Sequence, residues 1–227
     1  MNFPIPRLFD YAASYVSYKK RISQLLNIDT KEIAKLYAEL QNSDFMQEMI
    51  KKTSIKVSFC DLSMLSILRA PSIYVLCRLV QPQIVVETGV CAGFSSAFIL
   101  YALKKNNAGR LYSIDLPNQP GQEISNGKPV GWIISEELKE RWELILGASN
   151  EKLFPLLSKL GKIDIFYHDS EHSYNNMWFE FNSAWESLKS GGLLLSDDIT
   201  ENKAFADFCQ IKNSRRTKLF KLGIIKK

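Results

Sequence analysis

Two acid-rich turns stand out among the residues able to do chemistry. His168-Asp169-Ser170-Glu171-His172-Ser173-Tyr174 follows the apolar run Ile163 to Tyr167, and Ser196-Asp197-Asp198 follows Leu193 to Leu195. Both runs are short and rich in strand formers, so each acid cluster is expected at the carboxyl end of a buried strand. In a parallel sheet the carboxyl ends of the central strands open on one crevice. Asp169 and the pair Asp197-Asp198 are therefore expected to meet, although 28 residues separate Asp169 from Asp197. Three carboxylates in one cleft repel one another, and a hard divalent cation with oxygen ligands, Mg²⁺ by preference, is the natural counter-charge. His168 either orients Asp169 or fills the strand end.

A third turn has the spacing of a ligand cradle. Ile84-Val85-Val86 is a strand-like run that stops at Glu87-Thr88-Gly89-Val90-Cys91-Ala92-Gly93-Phe94-Ser95-Ser96. Gly89 can adopt the backbone of a sharp turn, Gly93 presents no Cβ to a ligand, and Ser95 and Ser96 can cap the helix that follows. The spacing Glu-x-Gly-x-x-x-Gly is neither a dinucleotide fingerprint nor a P-loop. It suits a nucleotide-like molecule or an ordinary strand-to-helix turn. The next strand, Arg110 to Asp115, ends in an acid 28 residues after Glu87. A carboxylate there can accept hydrogen bonds from both ribose hydroxyls, or form a turn before Leu116-Pro117.

These turns need a scaffold. Ile73, Leu76, Cys77 and Val80 recur at helical spacing after Pro71, which is expected to interrupt a helix beginning at Asp61. A helix to about Lys105 is closed by Asn106-Asn107-Ala108-Gly109. Residues 116–132 carry three prolines and three glycines and read as a substrate loop. A short helix over 135–141 leads to a strand at Trp142 to Leu146, then Gly147-Ala148-Ser149, where Ser149 can cap a helix ending at Gly161. The stripe Tyr174, Met177, Trp178, Phe181, Trp185, Leu188 predicts a helix ended by Gly191-Gly192. A helix over 203–211 and strands at 217–219 and 223–225 complete the chain. Residues 3–26 and the run from Asp29 to Ile50 form a helical extension without recognisable chemistry.

Length and composition limit the rest. The chain has 227 residues, 46% hydrophobic and 23% charged, enough for one α/β domain (61–227) with an N-terminal extension (1–60). No apolar run spans a membrane and no signal peptide is recognisable, so a cytoplasmic protein is expected. Cys60, Cys77, Cys91 and Cys209 lack metal-site spacing and read as reduced. Residues 210–227 hold seven basic residues and no acid, which against a total of +5 leaves −2 on the remainder. A basic tail on a near-neutral body is a weak nucleic-acid signal and reads as a solvated edge ahead of a phosphate-binding surface.

With these segments in order the chain resembles the class I S-adenosylmethionine-dependent methyltransferases. It is most similar to metal-dependent O-methyltransferases of sugars and macrolides, a group with cephalosporin-hydroxylase-like relatives. The segments that carry the likeness are Val86 to Gly89 with Gly93, Ser113-Ile114-Asp115, Leu146 to Ser149, His168 to Tyr174, and Leu195 to Asp198. The resemblance implies a Rossmann-like, doubly wound, seven-stranded, mostly parallel α/β sheet with a C-terminal antiparallel hairpin. It implies S-adenosylmethionine as cofactor, held by Glu87, Thr88, Gly89, Gly93, Ser95, Asp115, Gly147, Ala148, Ser149 and Asp169. It further implies Mg²⁺ on Asp169, Asp197 and Asp198, with His172 as general base; capping beside Ser173 is the other use of that histidine. The expected partner is a small hydroxylated acceptor, with neither nucleic acid nor membrane involved, and the N-terminal helices are candidates for pairing two copies. Two other readings stay open: a metal-independent methyltransferase and a non-catalytic cofactor-binding subunit. An NAD-dependent oxidoreductase is disfavoured by the glycine spacing.

Overall fold

The computed structural model describes residues 8–53, 64–118 and 127–227. The expected helix start at Asp61, the state of Cys60 and part of the 116–132 loop lie outside them. Seven strands, β1 (Ile84–Thr88), β2 (Arg110–Asp115), β3 (Trp142–Leu146), β4 (Ile163–His168), β5 (Leu188–Ser196), β6 (Arg216–Leu219) and β7 (Leu222–Lys226), form one sheet in the order β3-β2-β1-β4-β5-β7-β6. β1 to β5 run parallel; β7 is antiparallel to β5 and β6 to β7. The order reverses between β1 and β4, so the ends of those two strands flank the crevice where ligands bind in such sheets.

Each central strand alternates between two hydrophobic layers, the consequence of a two-residue side-chain period between helices on both faces. Val85, Ile165, Tyr167, Leu193, Leu195 and Ile224 pack on one face with α4 (Met64–Val80) and α5 (Phe94–Asn106). Val86, Phe166, Leu194 and Ile225 pack on the other with α7 (Ser149–Leu160), α8 (Tyr174–Ser187) and α9 (Ala204–Lys212). α6 (Glu136–Lys139) is a single turn.

The N-terminal helices α1 (Leu8–Leu26), α2 (Thr30–Gln41) and α3 (Asp44–Thr53) add to the first layer. Ile22, Ile33, Tyr37, Leu40 and Met49 are fully buried in the same cluster as Val85. Asp29 caps α2 by accepting from the Lys31 amide at 2.8 Å. Phe45 stacks on Tyr101 of α5, and Arg21 donates to the Lys218 carbonyl on the edge strand β6 at 2.7 Å.

Four local expectations change. Pro71 lies inside α4 without ending it, because the buried stripe Ala70, Ile73, Tyr74 and Cys77 holds the helix across the one lost hydrogen bond. The α8 helix stops at Ser187, and Leu188, Gly191 and Gly192 belong to β5. The C-terminus provides the reason: Gly191 N–H donates to Lys227 O at 2.8 Å and Lys227 N–H to Gly192 O at 3.0 Å, which draws this stretch into the sheet. The N-cap of α5 is Gly93, with Ser95 and Ser96 turned inward to Glu87, and that of α7 is Ala148, not Ser149. Finally, Cys91 is disulfide-bonded, whereas Cys77 and Cys209 are free and buried. Cys91 is half-buried on the glycine turn at the margin of the core, whereas the other two lie inside it.

Among the described residues, no helix is long and apolar enough to cross a membrane.

Candidate active site

The glycine turn is built by close backbone approach. Gly89 has φ +84°, and a Cβ there would lie 2.0 Å from the Asp169 carbonyl oxygen. Only glycine allows the β1 and β4 exits to meet so closely. Asp169 N–H also donates to the Thr88 carbonyl at 2.8 Å. Gly93, at φ +93°, makes room for protein: a Cβ would sit 2.8 Å from Ile134 Cγ1 and 2.9 Å from Gly131 Cα. That strap is fastened to the turn by Gly131 N–H to Cys91 O at 2.8 Å and Ile133 N–H to Ala92 O at 3.2 Å. Lys52 of α3 also donates to the Ile133 carbonyl at 2.7 Å.

Glu87 braces the turn from beneath. Its fully buried carboxylate accepts from Ser95 Oγ at 2.9 Å, Ser96 Oγ at 2.6 Å and Ser113 Oγ at 2.8 Å. Burial raises its carboxyl to about 7, with the three hydroxyls opposing the shift. An acid whose folded value lies above its unfolded one is stabilising only while protonated in both states. Folding stability is therefore expected to fall as pH rises from about 4.5 to about 7, by on the order of 3 kcal/mol. Urea unfolding of Glu87→Gln at pH 5 and pH 8 should show that decline removed.

Asp115 ends β2 beside this turn. Its Oδ2 accepts from the Val90 and Cys91 amides at 2.9 and 2.6 Å, and Oδ1 from the Leu116 amide at 2.7 Å. Three of roughly four carboxylate acceptor sites are so used, which leaves room for one ligand hydroxyl. The turn expected before Leu116 is thus formed, and one acceptor site of Asp115 remains. At the end of β3, Gly147 packs against Lys152, and Ser149 Oγ donates to Asn176 Oδ1 at 3.2 Å.

Two of the three acids expected in the cleft meet there. Asp169, His172 and Asp197 each present a ligand atom within 4.8 Å of the others. Asp169 Oδ2 accepts from Tyr167 OH at 3.0 Å, and its Oδ1 lies 4.0 Å from His172 Nε2. Asp197 is 1% exposed; Arg69 donates to its Oδ2, while its Oδ1 has no partner. His172 Nε2 is likewise buried and unpartnered. Asp198, left-handed at φ +45°, stands apart: its Oδ1 pairs with Lys221 Nζ at 3.1 Å and lies 3.8 Å from Arg69. Burial, and then the neighbouring Asp197, push the Asp169 carboxyl well above the usual carboxylate range. Burial lowers His172 below its ordinary 6.5, so the imidazole is neutral at pH 7.

Behind this cluster lies a buried network that the sequence does not announce. Glu180 of α8 accepts from Thr88 Oγ1 at 2.5 Å, Ser170 Oγ at 2.8 Å and Asn176 Nδ2 at 3.1 Å. It also pairs with His168 Nδ1 at 2.6 Å. Burial alone would raise its carboxyl, but the bond and charge of His168 and the Thr88 hydroxyl outweigh it and hold Glu180 below the usual value. His168 packs edge-on against the His172 ring, with centroids 5.2 Å apart. One carboxylate so joins the end of β1, the end of β4 and the turn carrying Asp169 and His172. Arg69 and Glu180 are thus the two site residues that sequence patterns miss.

An ion fits the front of this site. Asp197 Oδ1 and His172 Nε2 are buried polar atoms without partners beside Asp169 Oδ1, a pattern that calls for a bound group.

Residues 86–199 match the family model described as "Methyltransferase domain". No curated protein matches the chain by sequence. Among solved structures, an O-methyltransferase from Bacillus cereus in complex with SAH is 11% identical, covering 93% of this chain and 97% of that one at a TM-score of 0.55. The O-methyltransferase TomG from Streptomyces achromogenes, in complex with SAM, is 17% identical over 92% and 94% at 0.55. CalS11, a calicheamicin methyltransferase, is 15% identical over 87% and 91% at 0.54. At such identities the likeness is one of fold.

Proposed function

The chain belongs to the methyltransferase family and is a class I S-adenosylmethionine-dependent enzyme, and from that premise we propose that it methylates a hydroxyl of a small molecule with help from a divalent cation. The observation that carries this reading is the meeting of Asp169, His172 and Asp197, with two buried polar atoms bare. A sugar or glycosylated natural product is the acceptor class that the sequence resemblance favours.

S-adenosylmethionine supplies a methyl group already activated by its sulfonium, so the protein's task is to orient an acceptor oxygen and remove its proton. The turn at Thr88-Gly89, the free acceptor site of Asp115 and the small residues Gly147-Ala148-Ser149 would hold the donor. A cation would supply charge that offsets Asp169 and Asp197 and eases loss of a hydroxyl proton. Asp169 Oδ1 and Asp197 Oδ1 would hold it. His172 has two mutually exclusive uses, since one nitrogen cannot both bind an ion and take a proton. Mg²⁺ prefers an all-oxygen shell and leaves His172 free as base; a nitrogen-tolerant metal such as Mn²⁺ or Zn²⁺ would recruit it as a ligand. We assign His172 the base role with Mg²⁺.

The second reading, metal-independent transfer, is favoured by the Arg69 guanidinium already resting on Asp197. A transfer assay over a panel of hydroxylated glycosides, run after chelator treatment and after Mg²⁺ is restored, separates the two. Activity should vanish and return. Full activity in chelator would leave Arg69 as the site's counter-charge and overturn the metal role.

A further inference from the structure

Two carboxylates face the cation position, and each has one oxygen engaged by the protein and one left over. Tyr167 OH holds Asp169 Oδ2, and Arg69 holds Asp197 Oδ2. Asp169 Oδ1 lies 4.0 Å from His172 Nε2 and Asp197 Oδ1 is unpartnered, and one carboxylate oxygen of each acid closes to within 4.8 Å with His172. Outer partners that fix one carboxylate oxygen and free the other are how proteins aim ligands at an ion. Tyr167 does so as a neutral donor. Arg69 does so with a full positive charge, only 15% exposed and 3.8 Å from Asp198 Oδ1 as well. Lys221 adds a second cation on Asp198 at 3.1 Å. The sequence places three acids here, yet two permanent cations already face them.

We propose that Arg69 is a positioning residue that both aims Asp197 and weakens the site's hold on a divalent cation, so that the ion is exchangeable and not a resident structural one. The proposal rests on the cation reading above. An ion seated at Asp169 and Asp197 has the guanidinium on the far oxygen of one of its own ligands. A fixed like charge at that range opposes binding even with partial solvent screening. Lys221 sits on Asp198, outside the close group, and its effect should be smaller.

The measurement is a Mn²⁺ titration of the full chain by calorimetry and by the loss of the free-ion paramagnetic signal, repeated in Arg69→Gln, Arg69→Lys and Lys221→Met. Gln removes the charge and keeps an N–H that can serve Asp197; Lys keeps the charge and gives up the planar guanidinium. Arg69→Gln should bind Mn²⁺ about tenfold tighter than the unaltered protein, Arg69→Lys within about threefold of it, and Lys221→Met in between. S-adenosylhomocysteine affinity should stay unchanged in all three. If the unaltered protein binds Mn²⁺ and Arg69→Gln binds it equally or more weakly, the proposal fails while the cation reading stands. If neither protein binds Mn²⁺, with or without S-adenosylhomocysteine, the cation reading itself fails and takes the proposal with it. Should Arg69→Gln not fold, the Arg69→Lys and Lys221→Met isotherms decide: no tightening in Lys221→Met overturns the charge argument.

Discussion

Replacing His172 with alanine should lower turnover by about 10² to 10⁴, the range of general-base assistance, and leave S-adenosylhomocysteine binding within about twofold. The His172 imidazole is held below its ordinary value by burial and has a bare nitrogen beside the acids. Its backbone is held separately, since Asn202 Nδ2 donates to the His172 carbonyl at 2.8 Å and Ser173 caps α8 by accepting from the Asn176 amide. The side chain can therefore be removed without unseating the turn. Single-turnover rates with bound donor, set beside calorimetric affinity for the spent donor, give both numbers. A variant that keeps its turnover would remove His172 from the chemistry; one that loses donor affinity in proportion would make it a binding residue.

The largest loss of stability is expected from Glu180→Ala. Every acceptor site of this buried carboxylate is engaged by Thr88, His168, Ser170 and Asn176. Its removal strands a buried imidazole and two hydroxyls. Leaving buried polar groups without a partner costs about 1–3 kcal/mol each, together a large share of the total stability of a domain this size. Urea unfolding of both forms measures it. Glu180→Gln, which keeps the shape and half of the acceptors, should lose less. Equal stability of the alanine variant and the unaltered protein would show that the network contributes nothing net.

The parts of this architecture legible from sequence are those written in short-range patterns. β2 and β3 coincide with their expected limits, because strand formers there stop at an acid before Leu116-Pro117 and at Gly147. The meeting of Asp169 with Asp197 follows from parallel-sheet geometry alone. Gly191-Gly192 looks like a helix stop, yet its true role is set by Lys227, which pairs with it from the far end of the chain. Gly93 looks like an opening for a ligand, but Gly131 and Ile134 fill that space. Arg69 could not be linked to Asp197 across 128 positions, and nothing in an apolar helix marks a cation as site-directed. Glu180 left a faint trace: Met177, Glu180, Phe181 and Ala184 lie on one helical stripe and are all buried. A lone acid on an apolar stripe needs a partner in the interior. Asp198 groups with Asp197 by adjacency in the sequence, but its left-handed backbone turns it to Lys221.

The unbroken hydrophobic layer running from Ile22 through Tyr37 to Val85 has an evolutionary corollary. An accessory segment that merely leans on a catalytic body can be exchanged between lineages like a cartridge. Here α1 to α3 are part of the floor on which the catalytic half stands, so recombination at that boundary would yield two insoluble halves. The floor reaches the glycine turn through Lys52 and the 130–134 strap, so a change at that boundary would be felt at the turn itself.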